Sequence, residues 1–557
     1  MEGESESRKR AIAVHAASLV LVAIIVCSAL WLPLIHAEDV SSIELQDPVE
    51  SVEAVCSKTL YPEICYYSLS PHLGSSPAQP KKLLHVALMI ALEEANKAFA
   101  LVLRFVKQTS ALQDCMELMD ITRDQLDSSI ALLKRHDLKA LMREQASDLQ
   151  TWLSASITNQ DTCLDGISDY SKSIARALVE NSVQNVRKLI SNSLAIAKAA
   201  YESRPYPSPA LRLPSDSIKD DFPSWLSPGD RRLLRTSAND VVPNVIVAQD
   251  GSGNFKTITQ AIAAAPEKSP KRYVIKVKKG TYKENVQVGK TKTNIMLIGE
   301  GMEATIVTGS RNVIDGSTTF NSATFAAVGN GFMAQDMAFV NTAGPQKHQA
   351  VALRVGSDQS VLYRCKIAAY QDTLYAHSLR QFYRECKISG TVDFIFGNAA
   401  VVFQSCILVP RKPGANQKNA ITAQGRTDPN QNTGISIHNC KITPGTDLVP
   451  VKSSFPTYLG RPWKEYSRTV FMQSYIDGFI QPAGWLEWDG DFALKTLYYG
   501  EYMNTGPGSG TGNRVKWPGY RVIKSPQEAS KFTVGEFIQG DSWLQSTGVH
   551  YVDGLTN

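Results

Sequence analysis

The sequence has no Asn-x-Ser/Thr sequon, which excludes N-linked glycosylation. It has no Gly-x-Ser-x-Gly elbow, so the strand-turn-helix serine nucleophile of the α/β-hydrolases is excluded. Its nine histidines show no metal-ligand spacing. The Gly-rich stretch Gly506–Gly512 lacks the Gly-Lys-Ser/Thr ending of a phosphate loop and reads as a surface loop. No cluster of carboxylates dense enough in oxygen ligands for calcium accompanies the acidic residues discussed below. Neither a metal nor a cofactor is expected.

At 557 residues, 43% hydrophobic and 20% charged, the chain is too long for one core and too apolar for disorder. The net charge of +5 is unevenly spread: 34 Lys+Arg against 24 Asp+Glu from Arg235 onward leave 24 against 29 before it. The chain is therefore two electrostatic bodies, and the basic one should prefer an acidic partner.

Arg8, Lys9 and Arg10 precede an apolar run from Ala11 to Ala37, which reads as a secretory signal or signal-anchor, segment 1–37. At 27 residues the run is also long enough to span a bilayer, the only membrane contact expected. In an oxidising lumen Cys56, Cys65, Cys115 and Cys163 can pair; of the three connectivities that four cysteines allow, a local Cys56–Cys65 staple with Cys115–Cys163 between helices is the one inferred. From Lys81 to Tyr201 the pattern is helical, with further stretches near 111–134, 142–165 and 172–200. Four amphipathic helices with short connections predict an up-and-down bundle within 38–203. Six prolines between Arg204 and Gly229 mark a linker, 204–234, that ends in Arg231-Arg232-Leu233-Leu234. The Arg231-Arg232 pair is either a proteolytic processing site or a solvated charge pair.

Beyond Val241 short β-branched and aromatic runs alternate with Gly, Asn and Asp, and helical patterns are scarce. Cys365, Cys386, Cys406 and Cys440 occupy the same phase of an apolar strand, the first three at intervals of 21 and 20 residues. Such a period predicts a solenoid, a parallel β-helix over 235–557 whose cysteines stack inward. Two neighbours could bond, with Cys386–Cys406 favoured and a plain core role the alternative.

The same period picks out two acids. Asp372 follows Cys365 by seven residues, and Asp393 follows Cys386 by seven. On adjacent coils the carboxylates would stack roughly 5 Å apart, close enough to separate their ionisation by about two pH units. One would hold its proton while the other ionises, giving an acid and a nucleophile from one residue type. Gln371 precedes Asp372, and Gln349 lies 22 residues earlier, about one coil back. Two neutral amide donors aimed at one point suit an oxyanion, and a turn-stabilising glutamine ladder is the plain alternative.

Gly280-Thr-Tyr-Lys-Glu284, Gln349-Ala-Val-Ala-Leu-Arg354, Gln371-Asp-Thr-Leu374, Asp393-Phe-Ile-Phe-Gly-Asn-Ala399 and Leu459-Gly-Arg-Pro-Trp-Lys464 follow one another in this order. Together they resemble the signature set of plant pectin methylesterases, and the likeness runs from Asp250 through Tyr520. The helical region is similar to the pectin methylesterase inhibitor family, best at Trp152-Leu-Ser-Ala and Thr158-Asn-Gln-Asp-Thr-Cys-Leu-Asp165. The resemblance implies a right-handed β-helix enzyme with an inhibitor-like pro-region removed by a protease at the dibasic site. It implies Asp393 as nucleophile, Asp372 as proton donor and acceptor, and Gln371 and Gln349 as oxyanion donors. It further implies Arg461 as the residue orienting the nucleophile, Trp463 as a sugar contact and Thr319 as a substrate contact. The expected substrate is methyl-esterified pectin in the cell wall, reached by secretion; separate inhibitor proteins are conceivable partners and nucleic acid is not.

Two other readings compete. Two carboxylates about 5 Å apart also describe a retaining glycosidase, although paired glutamines suit an acyl oxyanion better than an oxocarbenium ion. Alternatively, the chain is a wall-binding or inhibitory protein whose bundle is the working part, which the intact acids disfavour.

Overall fold

The computed structural model describes residues 51–73, 78–136, 141, 145–168, 174–202 and 242–556. The apolar run 11–37, the linker 204–234 and the Arg231-Arg232 pair lie outside the described residues. Among the described residues no helix is long and apolar enough to cross a membrane.

Two short helices open the described chain, α1 (Val52–Cys56) and α2 (Pro62–Leu73), joined by the Cys56–Cys65 disulfide. The sequence pattern did not separate them from their surroundings, because each is too short to show a stripe. Four long helices follow: α3 (Pro80–Phe105), α4 (Ser110–Arg135), α5 (Ala146–Ser168) and α6 (Ile174–Glu202). Each packs on two neighbours, α3 on α4 and α6, and α5 on α4 and α6, which is the expected up-and-down bundle. In α3 the buried positions Leu84, Leu88, Ala91, Ala95, Ala98 and Val102 step by four and three residues. That spacing keeps one seam facing inward, and its alanines let the neighbouring helices approach closely. Thr109 caps α4 by accepting from the Leu112 amide.

Between α4 and α5 the seam is polar. Ser156 donates to Gln125 at 2.9 Å, Asn159 reaches both Gln125 and Thr122 at 3.2 Å, and Gln160 donates to Thr122 at 2.9 Å. A buried network of this kind fixes the register of two helices because any slip leaves desolvated amides without partners. Cys115–Cys163 ties the same pair of helices covalently.

From Val245 the chain winds into a parallel β-helix with three sheets of 11, 7 and 8 strands, in which each strand pairs with its counterpart from the next coil. The corner before each stacked cysteine holds a left-handed residue: Arg364, Glu385, Ser405 and Asn439, with φ between 49° and 55°. This single αL residue turns the strand so that the cysteine points inward.

The expected Cys386–Cys406 bond is not formed; Cys365, Cys386, Cys406 and Cys440 are all free and buried. In-register parallel strands hold equivalent Cβ atoms about 4.8 Å apart, wider than the roughly 3.8 Å a disulfide wants. The thiols instead face backbone carbonyls, Cys386 Sγ against Leu362 O at 3.3 Å and Cys406 Sγ against Tyr383 O at 3.5 Å. They act as small apolar core residues.

The seven-stranded sheet carries the site. In chain order its strands are β1 (Val286–Val288), β2 (Phe325–Ala327), β3 (Leu353–Val355), β4 (Leu374–Ala376), β5 (Ile395–Gly397), β6 (Asn419–Gln424) and β7 (Thr457–Gly460). Their register aligns Gln287, Ala326, Arg354, Tyr375, Phe396 and Ala423 in one row along the solenoid axis.

Candidate active site

Leu374 pairs with Ile395, so Asp372 and Asp393, each two residues before its partner strand residue, hold equivalent places on adjacent coils. Both adopt left-handed backbone, with φ of 61° and 51°. Non-glycine residues pay strain there, and at equivalent positions it re-aims both side chains from the corner onto the sheet face. Both are buried.

Their surroundings differ. Arg461 donates from Nε to Asp393 Oδ1 at 2.8 Å and from Nη2 to Oδ2 at 2.7 Å. This two-armed pairing fixes the plane of the carboxylate. Asp372 stands outside it; burial, and then the neighbouring Asp393 charge, push its carboxyl well above the usual range, with Arg461 only partly opposing. The two acids expected on adjacent coils lie there, and a cation pairs with only one of them.

The glutamines lie on adjacent coils, joined where the Ala350 amide donates to the Gln371 carbonyl at 3.3 Å. Gln371 ends in a buried Oε1 with no partner among the described residues. Gln349 is half-buried and its carbonyl accepts from Val313 at 3.1 Å. Thr319 is half-buried and precedes a single 3-10 turn, Phe320–Ser322. Arg461 follows the last residue of β7, its amide donating to Thr422 O at 3.0 Å, and lies over the Trp488 ring at 4.3 Å.

Trp463 meets two aromatic residues that the sequence reading missed. Tyr375 and Phe396 stack at 4.2 Å, and Trp463 stands edge-on to them at 6.5 and 5.9 Å. The signal was present: each ring lies three residues after one of the acids. Gly397 and Gly425 are needed beside them. A Cβ on Gly397, at φ 124°, would fall 2.1 Å from Ala376 O, and one on Gly425 would fall 2.7 Å from the Trp463 ring.

The helical bundle covers this face. Ala326, Tyr375, Phe396 and Ala423 belong to the same apolar cluster as the bundle core, with Trp463 packed against it. Thr162 of α5 reaches His377 Nε2 at 3.0 Å and Tyr375 Oη at 3.4 Å. Burial, and then Arg354, lower the His377 imidazole to about 3, so it is neutral here. Asn398 donates to Thr158 at 2.9 Å, Gln431 to the Ser154 carbonyl at 2.9 Å, and Asn432 to Thr151 at 2.9 Å. From α4, Asp114 accepts from Thr318 at 2.5 Å and from Asn321; from α6, Ser191 donates to Asp428 at 2.5 Å. Charge pairs surround these contacts: Lys290 with Asp120 and Asp124, Arg380 with Asp148, and Lys464 with Asp165. The two inhibitor-like sequence motifs therefore coincide with the helix that lies on the acids' face of the β-helix.

Among the described residues no group of histidine, cysteine and carboxylate side chains could hold a metal ion. The arrangement offers one gripped carboxylate, one carboxyl biased toward its protonated form, amide side chains and an aromatic wall.

Comparison with known proteins agrees with both halves. Residues 244–541 match the model of the pectinesterase family, and residues 50–196 match that of the plant invertase/pectin methylesterase inhibitors. The chain is 52% identical over 507 residues to a pectinesterase/pectinesterase inhibitor of Ficus pumila var. awkeotsang, covering 90% of this chain and 91% of the relative. It is 57% identical over 450 residues to pectinesterase 1 of Solanum lycopersicum, covering 81% and 80%. A solved pectin methylesterase from carrot is 64% identical with a TM-score of 0.56, and covers 57% of this chain and 99% of its own. That share is the size of the β-helix region, so a β-helix of this kind stands as a structure without a bundle. The chain belongs to the pectinesterase family, with an inhibitor-like helical domain ahead of the enzyme domain.

Proposed function

We propose that the β-helix hydrolyses methyl esters of galacturonate units in pectin through an acyl-enzyme on Asp393. The observation that carries this reading is the unequal pair: Asp393 gripped by Arg461, and Asp372 one coil away with its carboxyl pushed well up. Ionised Asp393 attacks the ester carbonyl carbon, and the electron pair moves onto the carbonyl oxygen, which Gln349 and Gln371 hold with their amide N–H groups. The tetrahedral intermediate collapses, the C–O bond to the methoxy group breaks, and Asp372 gives its proton to the departing methanol. Water then loses a proton to the Asp372 carboxylate and attacks the acyl carbon. The galacturonic acid unit and ionised Asp393 are released with Asp372 again protonated, and the new acid group then loses its proton to solvent to give pectate. Trp463, with Tyr375 and Phe396, supplies a face for the pyranose rings, and Thr319 a polar contact at the edge.

The bundle, by this reading, is an autoinhibitory pro-region: its docking buries the acids and the aromatic wall. A protease cutting at Arg231-Arg232 would free the enzyme domain, and the basic-flanked apolar run 11–37 would direct the chain to the secretory pathway and the cell wall. The experiment follows methanol and new reducing ends together as the segment 236–557 acts on methyl-esterified pectin. Methanol without reducing ends is expected. Reducing ends without methanol would mean a chain-cutting enzyme and a wrong mechanism.

A further inference from the structure

The bundle meets the β-helix with carboxylates at cations that the ester chemistry does not use. Glu117 of α4 accepts from Gln287 at 3.2 and 3.3 Å and stands 3.8 Å from Arg354 Nη2. One and two turns further along α4, Asp120 and Asp124 each reach Lys290 at 2.6 Å. On α5, Asp165 reaches Lys464 at 2.7 Å.

These cations are spread along the sheet beside whose middle strands the acids sit. Arg354 is on β3, one coil before the Asp372 coil; Lys290 follows β1, two coils earlier still; Lys464 follows β7, two coils beyond the strand of Asp393. At about 4.8 Å per coil, β1 to β7 spans roughly 29 Å, the reach of several sugar units.

Arg354 is the telling member. Its side chain is 3% exposed, its guanidinium lies 3.4 Å over the Phe320 ring, and its Nε has no partner among the described residues. A guanidinium is costly to bury with a donor unmade, and 3.8 Å is too long for Glu117 to satisfy it. Its planar fork is preorganised on the aromatic ring and only approximately filled by the bundle. A carboxylate placed over it could take both arms.

We propose that Arg354 and Lys290, with Lys464 on the far side, are subsites for free carboxylates of already de-esterified galacturonate units, and that the bundle's Glu117, Asp120, Asp124 and Asp165 occupy those subsites as stand-ins. The proposal rests on the ester-hydrolysis reading and deepens it. The enzyme domain would recognise a substrate by the acid units flanking the ester as well as by the ester itself. De-esterified blocks would then compete with the bundle for the same cations.

The test uses the segment 236–557 carrying Asp393→Asn, which leaves ligands intact. Calorimetry compares an unesterified oligogalacturonate with its fully methyl-esterified counterpart at low and high salt. Arg354→Gln should weaken binding of the acid oligomer about tenfold and Lys290→Gln about threefold, both losses shrinking as salt rises. The ratio of acid to ester affinity should fall with them. Unchanged acid binding in Lys290→Gln, or equal weakening of both ligands, would overturn the proposal; Lys290 follows the strand and is half-buried, so its variant tests the idea even if Arg354→Gln fails to fold. Absence of methanol from the segment with Asp393 intact would sink the ester reading while leaving this affinity ratio to be judged by itself.

Discussion

Arg461 holds both oxygens of Asp393, at 2.8 and 2.7 Å, and leaves Asp372, in the same place one coil earlier, outside the ion pair. Two residues of one type at equivalent positions of a repeat are thereby given different surroundings. One carboxylate is held in a fixed plane by the guanidinium, and the other is driven toward its neutral form by burial and by its neighbour.

The division predicts how each variant fails. Asp393→Asn keeps the volume and removes the nucleophilic charge, so kcat should drop by at least about 10³-fold with the fold retained. Circular dichroism and methanol release on the same sample check this. Retained turnover would refute the role of Asp393.

Docking of the bundle should depend on pH through Asp114. Burial raises its carboxyl to about 7, with the hydrogen bonds from Thr318 and Asn321 and the Arg354 charge opposing, and the Glu117 charge adding to the rise. A carboxyl whose docked value lies above its free value near 3.8 favours docking while protonated. That contribution is therefore complete below about 4 and is lost as pH rises through about 7. Full-chain methanol release should be higher at pH 8 than allowed by the enzyme segment's own profile, and Asp114→Asn should flatten the difference. A constant ratio between full chain and segment across pH would contradict it.

The Cys115–Cys163 disulfide joins the two helices that supply most of the contacts with the site, and it closes a 48-residue interval. Chain entropy puts its worth at about 4 kcal/mol for a loop of this length. Replacing both cysteines with alanine should lower the melting temperature of the bundle and raise the activity of the full chain. The β-helix holds only free thiols among its described residues, so reductant should leave the segment 236–557 unaffected.

Gly397→Ala should destabilise the enzyme domain by about 2–4 kcal/mol, because its Cβ would meet Ala376 O at 2.1 Å in a backbone conformation closed to L side chains. Denaturant unfolding of the segment measures this directly. A shift below about 0.5 kcal/mol would show that the corner after β5 relaxes more freely than packed strands should.

The repeat was legible because a solenoid writes its coil length into the spacing of like residues. The spacing of Cys365 and Cys386 carries the register that aligns Asp372 with Asp393. The Cys386–Cys406 bond failed for the complementary reason: periodicity reports that two side chains are neighbours, while a disulfide depends on Cβ separations that parallel strands set too wide. The docking face was not legible. Thr158, Thr162 and Asp165 look like an ordinary polar helix face, and Thr162 finds its partner Tyr375 213 residues away. The inhibitor-like motif marked the helix without revealing what it touches. Arg354 stands in the sequence only as the end of a motif, since nothing in a sequence tells a buried, half-satisfied guanidinium from a solvated one.

The most direct measurement follows methanol release by the full chain on methyl-esterified pectin before and after proteolytic cutting of the 204–234 linker. The account predicts little release from the intact chain, and a rise toward the rate of the segment 236–557 once the linker is cut and the pH is raised to loosen the bundle. An intact chain already as fast as the segment would contradict the claim that the bundle closes a competent site.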